Sequence, residues 1–271
     1  FNSQKQLNLY YNASVKKRGD HMTDFILVVH GMNKGKQNEL LHHFLEQLVS
    51  RNVRDYHIAF LESKNQSLEQ VLDTRIQQGT KSFNIIPLLL FPAKHYLEDI
   101  PMILKLYENK YPHIKYKIAE PLGTHKLMTT LVKQKILYKV KSHPKIQHII
   151  LMAHGSERYR HPDIALWQLT QDCDVFEIPI SMMTLYGDYN YRFNLLHYLK
   201  NNTDILIVPI FFYDGFLVNK AKHHIAQMND GCNIHYTAAI NFDPLLSTMI
   251  TERIKQLEVF ECVSNSTQLV R

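Results

Sequence analysis

From Phe25 onward the chain alternates short, continuously apolar runs with longer amphipathic ones, and it completes that alternation twice. In the first pass, strands are predicted at Phe25–His30, Tyr56–Leu61, Phe83–Leu90 and Lys115–Glu120. Helices are predicted over Asn38–Ser50, Leu68–Gln78, Leu97–Tyr111 and Lys126–Val140, where apolar residues recur at helical spacing. The second pass predicts strands at Ile149–Ala153, Val175–Pro179, Ile205–Phe212 and Ile234–Ile240. Its helices fall over Asp163–Cys173, Arg192–Lys200, Leu217–Met228 and Pro244–Leu257. Continuous rather than alternating apolar strands are buried on both faces, and the helices between them supply the crossovers that parallel pairing needs.

Anchor motifs recur at similar offsets in the two passes. VVHG, ending at Gly31, is answered by MAHG, ending at Gly155, and IIPLLLF (Ile85–Phe91) by IVPIFFY (Ile207–Tyr213). EPLGTHKLMTTLV (Glu120–Val132) is answered by AAINFDPLLSTMI (Ala238–Ile250). The repeat is about 120 residues long, the size of a domain. The expected organisation is therefore two tandem α/β domains, residues 22–143 and 144–271, each a parallel sheet with helices on both faces. The boundary is expected in the polar, proline-containing stretch Lys141–Lys145.

Residues 1–21 are set apart. Phe1–His21 is polar, lacks the apolar core of a secretory signal, and precedes Met22. The run Lys16-Lys17-Arg18-Gly19-Asp20 can be encoded by a purine-rich stretch like a bacterial ribosome-binding site. The segment is expected to be leader or tag-like sequence outside the fold.

No apolar run reaches the ~18–20 residues of a membrane span. The net charge of +6 with 16 histidines attracts anionic partners. No dense Lys/Arg tract interleaved with aromatics and no zinc-finger spacing points to nucleic acid, so a polyanionic small molecule is the better match. Cys173, Cys232 and Cys262 are odd in number and widely spaced, which fits buried thiols in a reducing, cytoplasmic setting rather than a disulfide framework.

Parallel α/β sheets bind ligands beyond the carboxyl ends of their strands. Three polar residues of the first half stand there: His30 after the first strand, Glu62 after the second and His95 just past the third. Singly, each is as well explained as a structural or solvated group. Together, two neutral imidazoles and a carboxylate suit Fe²⁺, Co²⁺, Ni²⁺ or Zn²⁺, and they also supply proton acceptors near neutral pH. The second half keeps His154, but the position answering Glu62 falls near Leu185–Tyr186 and that answering His95 at about Phe216. Catalysis is therefore expected in the first half, with His154 either shaping the pocket or serving the strand-loop turn.

ILVVHGMNKGKQNE (Ile26–Glu39), IPLLLFPAKHYLEDIP (Ile86–Pro101), AEPLGTHKLM (Ala119–Met128) and the repeat AHGS (Ala153–Ser156) resemble the sirohydrochlorin chelatase family in its long, two-domain form. The resemblance runs from Thr23 to about Leu257. It implies chelatase-like domains and insertion of Fe²⁺, or alternatively Co²⁺ or Ni²⁺, into sirohydrochlorin with release of two protons. It implies no prosthetic group and no nucleotide, and no GxxxxGK[ST] phosphate loop is present. His30 and His95 carry over as metal ligands, with His30 as the principal base and Glu62 assisting. Met32 and Ala93-Lys94 depart from the usual serine and small glycines of these motifs.

Lys34, Lys36, Lys94, His154, Arg158 and Arg160 are the residues expected to meet the carboxylates of the macrocycle. The expected partners are the tetrapyrrole and a divalent ion alone, without nucleic acid or membrane, the protein being a monomer or weak homodimer. A non-catalytic tetrapyrrole or metal carrier is the reading from another class. A histidine phosphoryl-transfer enzyme lacks the arginine such a site needs near His30.

Overall fold

The computed structural model describes residues 23–30, 41, 43–45, 47, 56–62, 65–174 and 177–266, with side chains as far as residue 259. Phe1–His21, Lys34, Lys36 and most of the Asn38–Ser50 stretch lie outside the described residues, although Leu41, Phe44 and Leu45 are helical. The first half runs β1 (Thr23–Val29), β2 (Tyr56–Phe60), α1 (Leu68–Gln77), β3 (Ser82–Leu88), α2 (Ile100–Lys110), β4 (Lys115–Ile118) and α3 (Lys126–Ser142). The second runs β5 (His148–Gly155), α4 (His161–Asp172), β6 (Ile180–Tyr186), α5 (Tyr191–Asn201), β7 (Asp204–Pro209), α6 (Phe216–Met228), β8 (Asn233–Tyr236) and α7 (Leu245–Ser266). Each half forms a four-stranded parallel sheet, ordered β2-β1-β3-β4 and β6-β5-β7-β8, so the sequence repeat is a repeat of topology. Among the described residues no helix is long and apolar enough to cross a membrane.

Strand side chains point alternately to opposite faces, and the alternation sorts the apolar residues into three cores. Ile26 and Val28 of β1, with Phe83 and Ile85 of β3, pack under Leu68 and Leu72 of α1 and Ile100 and Leu104 of α2. Ile150 and Met152 of β5, with Ile205 and Ile207 of β7, pack under Leu195 of α5 and Ile225 of α6. The intervening residues, Leu27 and Val29, Ile86 and Leu88, Ile149 and Leu151, Leu206 and Val208, all enter one further core common to both sheets. Each half therefore has a core of its own and contributes to a common one.

Helix exchange explains that sharing. α3, which follows the first sheet in the chain, packs against β7 of the second, and α7 packs back against β3 of the first. The carboxy-terminal helix is fastened by a polar cluster around Arg253, which reaches the turn after β4. Beside it, buried His125 caps α3 by accepting the Leu127 N–H on Nδ1 at 3.1 Å, and its Nε2 lies 3.3 Å from Glu252.

Burial first, then the charges of Arg253 and Lys126, push the His125 pKa below the usual 6.5 against the opposing pull of Glu252. The unfolded chain thus binds this proton more readily than the folded one. The contribution is present above about pH 6.5 and is lost as pH falls through the lower folded value. The melting temperature is expected to drop between about pH 7.5 and about pH 5.5. His125→Asn, which can still cap but cannot titrate, should flatten that slope; an unchanged slope would remove His125 as its cause.

The repeated proline in IIPLLLF and IVPIFFY has a register explanation. β3 pairs with edge strand β4 only to Ile85↔Ile118, and β7 with β8 only to Ile207↔Tyr236. Pro87 and Pro209 each come two residues later, where a missing N–H ends the pairing without orphaning a partner. The chain then returns beside the strand through Leu122 N–H to Leu89 O and Ile240 N–H to Phe211 O, both 2.8 Å.

One strand was misplaced by the sequence pattern. The second strand of the second half occupies Ile180–Tyr186; of the expected Val175–Pro179, Val175 and Phe176 lie outside the described residues and Glu177–Pro179 is not strand. Glu177 sits in the left-handed region at φ 55°, which no strand accommodates, and the Pro179 carbonyl instead accepts the Ile149 N–H at the start of pairing. Cys173 and Cys232 are buried free thiols, and burial pushes Cys173 up to about 12; the Cys262 side chain lies outside the described residues.

Candidate metal centre

The amino-terminal sheet brings its three strand-end residues to one rim. Leu61 N–H bonds the Val29 carbonyl at 2.9 Å, extending the β1–β2 pairing by one step, so His30 and Glu62 emerge side by side. Phe60 N–H bonds the Gln66 carbonyl, and Ser67 and Gln70 form a reciprocal capping box at the start of α1, which fixes the far side of the Glu62 loop.

His95 arrives differently. It opens a π-helical turn, His95–Asp99, in which Ile100 N–H reaches back to the His95 carbonyl. Pro101, one residue later, lacks the N–H that would bond Leu97 and needs room beside that carbonyl, so the turn widens there.

The resulting geometry is compact. His30 Nδ1 lies 3.7 Å from one Glu62 oxygen, and His95 Nε2 lies 3.8 Å from the other. The two imidazole rings meet edge to face at 4.6 Å between centroids. One donor atom from each residue falls within 4.8 Å of the others. These separations exceed a hydrogen bond but match donors arranged about one ion at bonds of roughly 2.0–2.2 Å. His30 and Glu62 are half exposed, so an ion held there keeps open positions. A cavity of about 320 Å³ lined by Leu131, Lys135, Thr237 and Asp243 lies away from these residues; the metal-type cluster stands on an open rim.

Asp99 was absent from the residues picked out in the sequence. Its Oδ2 lies 2.7 Å from His95 Nδ1, a carboxylate–imidazole contact that holds the proton on Nδ1 and leaves the Nε2 lone pair facing Glu62. The spacing His-x-x-x-Asp at one helical turn was the available signal. Lys94 leans on the same carboxylate at 3.5 Å.

The second half shows what its equivalent rim has become. In the β5–β6 register Ala153 pairs with Thr184, as Val29 pairs with Phe60, so Tyr186 stands where Glu62 does. His154 packs on the Tyr186 ring at 4.9 Å and places Nδ1 2.9 Å from the Gly155 carbonyl. Among the described residues no metal-type cluster forms there. Gly155 itself is fixed by space: at φ 71°, an added Cβ would stand 2.2 Å from the Tyr186 carbonyl. Of the remaining basic residues, Arg158 pairs with Glu98 at 2.6 Å and exposed Arg160 with Asp188 at 3.5 Å.

Comparison with known proteins agrees with this architecture. A sirohydrochlorin ferrochelatase of Priestia megaterium is 23% identical over 253 residues, spanning 91% of this chain and 94% of the relative. A sirohydrochlorin cobaltochelatase of the same organism is 22% identical over 258 residues, spanning 88% of this chain and 81% of the relative. The solved structure of SirB from Bacillus subtilis with Fe³⁺ shares the fold at a TM-score of 0.74 and 20% identity, covering 86% of this chain and 94% of that one. The CbiX family model matches residues 24–138 and 194–257, more than half of the sequence and including every strand of the amino-terminal sheet, and the chain therefore belongs to the CbiX family.

Proposed function

We propose that this chain is a sirohydrochlorin ferrochelatase, inserting Fe²⁺ into sirohydrochlorin with release of two protons and no nucleotide. The observation that carries the site assignment is the trio His30, Glu62 and His95, spaced for one ion and open to solvent on one side. His95, oriented by Asp99, and His30 receive the ion through neutral imidazole nitrogens, and Glu62 between them offsets its charge. As pyrrole nitrogens take over the ion, His30 lets go of it, and the nitrogen so freed accepts one of the two displaced protons while Glu62 accepts the other. Glu62, within reach of both rings, carries protons to solvent. The same three donors accept Co²⁺ and Ni²⁺, whose affinities for nitrogen and oxygen ligands exceed that of Fe²⁺, so supply of the ion governs which is inserted. The residues proposed to receive the macrocycle's carboxylates are Lys94, His154, Arg158 and Arg160, with Lys34 and Lys36 from the stretch outside the described residues.

The test is an anaerobic absorbance assay of Fe²⁺ and Co²⁺ insertion into sirohydrochlorin without nucleotide. The wild-type protein is expected to accelerate the reaction over the metal and macrocycle alone. Binding of the macrocycle with no acceleration would establish a carrier instead. Asp99→Asn is expected to lower the rate about 10–100-fold, the usual cost of removing a carboxylate that orients a ligating imidazole. A rate unchanged by Asp99→Asn would remove it from the site.

A further inference from the structure

We propose that Glu98 is a placeholder for a substrate carboxylate: it occupies the Arg158 guanidinium in the free protein and surrenders it to the macrocycle on binding. The proposal rests on the chelatase reading and adds to it an internal competitor for the substrate.

Arg158 and Glu98 come from different halves of the chain. Arg158 lies in the loop after β5, and Glu98 lies in the π-helical turn between β3 and α2, one residue from Asp99. Their 2.6 Å contact is therefore a bridge between the strand-end loops of the two sheets, anchored on the turn that carries His95. The backbone under Arg158 is prearranged, because the Ser156 hydroxyl accepts the N–H groups of both Arg158 and Tyr159 at 3.2 and 3.1 Å. Ser156 is in turn packed closely on Gly187, where an added Cβ would stand 2.5 Å from the Ser156 carbonyl. The loop is thus held while the long side chain beyond it remains free to swing.

Two physical considerations favour exchange over a structural tie. The pair is exposed, with side-chain accessibilities of 67% for Arg158 and 36% for Glu98, and exposed ion pairs contribute little to folding. Releasing it costs little. The group that Arg158 grips is also chemically the same as the one the substrate brings: a carboxylate, which suits the planar guanidinium fork. Exchange makes opening conditional on a ligand carrying its own carboxylate at that place.

The experiment compares wild type, Arg158→Ala, Glu98→Gln and the double variant. Dissociation constants are measured for metal-free sirohydrochlorin by its own absorbance and fluorescence, and KM and kcat are measured with Co²⁺. Glu98→Gln is expected to tighten binding and lower KM several-fold, because the arginine is released. Arg158→Ala is expected to weaken binding about tenfold, with the loss in KM rather than kcat. In the Arg158→Ala background, Glu98→Gln should give no further gain. An equal gain in both backgrounds would show that Glu98 acts by charge alone and overturn the exchange. Weaker binding or a fallen kcat in Glu98→Gln would also overturn it, making the bridge a structural support of the His95 turn. Failure of the wild type to bind or metallate sirohydrochlorin would instead refute the underlying chelatase reading, which separates the two outcomes.

Discussion

Replacing either His30 or His95 by alanine is expected to reduce metal insertion by at least about 100-fold while shifting the melting temperature by only a few degrees. The magnitude follows from rank: removing a group that merely orients a ligand costs about 10–100-fold, and removing a ligand costs more. The small structural cost follows from position. His30 is half exposed beyond the end of β1, and the His95 ring faces Glu62 and Asp99 rather than either apolar core. Substitutions at exposed places such as His30 usually alter stability by no more than ~0.5 kcal/mol, and loss of the part-buried His95–Asp99 bond adds about 1 kcal/mol for His95→Ala. His154→Ala is the matched control. It occupies the equivalent strand end in the second half, but its neighbour is Tyr186 where the first half has Glu62. Its loss should slow insertion by less than about threefold, a barrier change under 1 kcal/mol. Insertion rates measured at saturating and limiting Co²⁺ would decide the matter. Equal losses at all three histidines would contradict the division of labour between the halves.

The geometry behind that expectation was legible in the sequence because it depends on periodicity and offset alone. Continuous apolar runs gave the parallel strands, the repeated VVHG/MAHG and IIPLLLF/IVPIFFY anchors gave two similar sheets, and the strand ends then brought His30, Glu62 and His95 to one rim. What escaped depends on contacts between residues distant in the chain. The shared central core and the exchanged helices α3 and α7 leave no local mark, because an amphipathic helix carries the same pattern whichever sheet it covers. The strand at Ile180–Tyr186 was overlooked for a related reason. VFEIP carries the β-branched and aromatic residues favoured in strands, yet Glu177 has a left-handed backbone, and pairing with β5 selects the residues beyond Pro179. Asp99 lay one helical turn from His95, but a π-helical widening at Pro101 had to be seen before the spacing could be assigned to a functional pair.

The exchanged helix carries the second large effect: Arg253→Met is expected to destabilise the protein by about 2 kcal/mol. Arg253 is 5% exposed, and it is the polar fastening of α7 to the first half. Its Nη2 donates to the Pro121 carbonyl at 3.2 Å and to the Thr124 hydroxyl at 2.8 Å, while Nη1 lies 3.0 Å from Glu120. Burial pulls the guanidinium pKa below its ordinary value and the Glu120 carboxylate opposes that pull, so the charge is held in place by its partners. Methionine fills part of the volume but removes the charged donor shared by the Pro121 carbonyl and the Thr124 hydroxyl, leaving that carbonyl to the Thr124 hydroxyl and N–H alone, at 2.9 and 3.3 Å. Glu120 is mostly exposed and can return to water, so no buried charge is stranded and the cost is that of the lost charged hydrogen bonds, about 2 kcal/mol. At about 2–4 °C per kcal/mol for a chain of this size, the melting temperature should fall by roughly 4–8 °C. Glu120→Gln, by contrast, removes only the exposed partner and should shift it far less. The consequence reaches the metal trio through the backbone. Leu122 and Gly123 N–H groups hold the Leu89 and Leu90 carbonyls at 2.8 Å, just ahead of the loop that delivers His95. Loosening the Pro121–Thr124 turn therefore loosens that delivery, and Arg253→Met should lose insertion activity at temperatures well below its own unfolding transition. A melting temperature within about 2 °C of wild type would show that α7 is held by its apolar face alone.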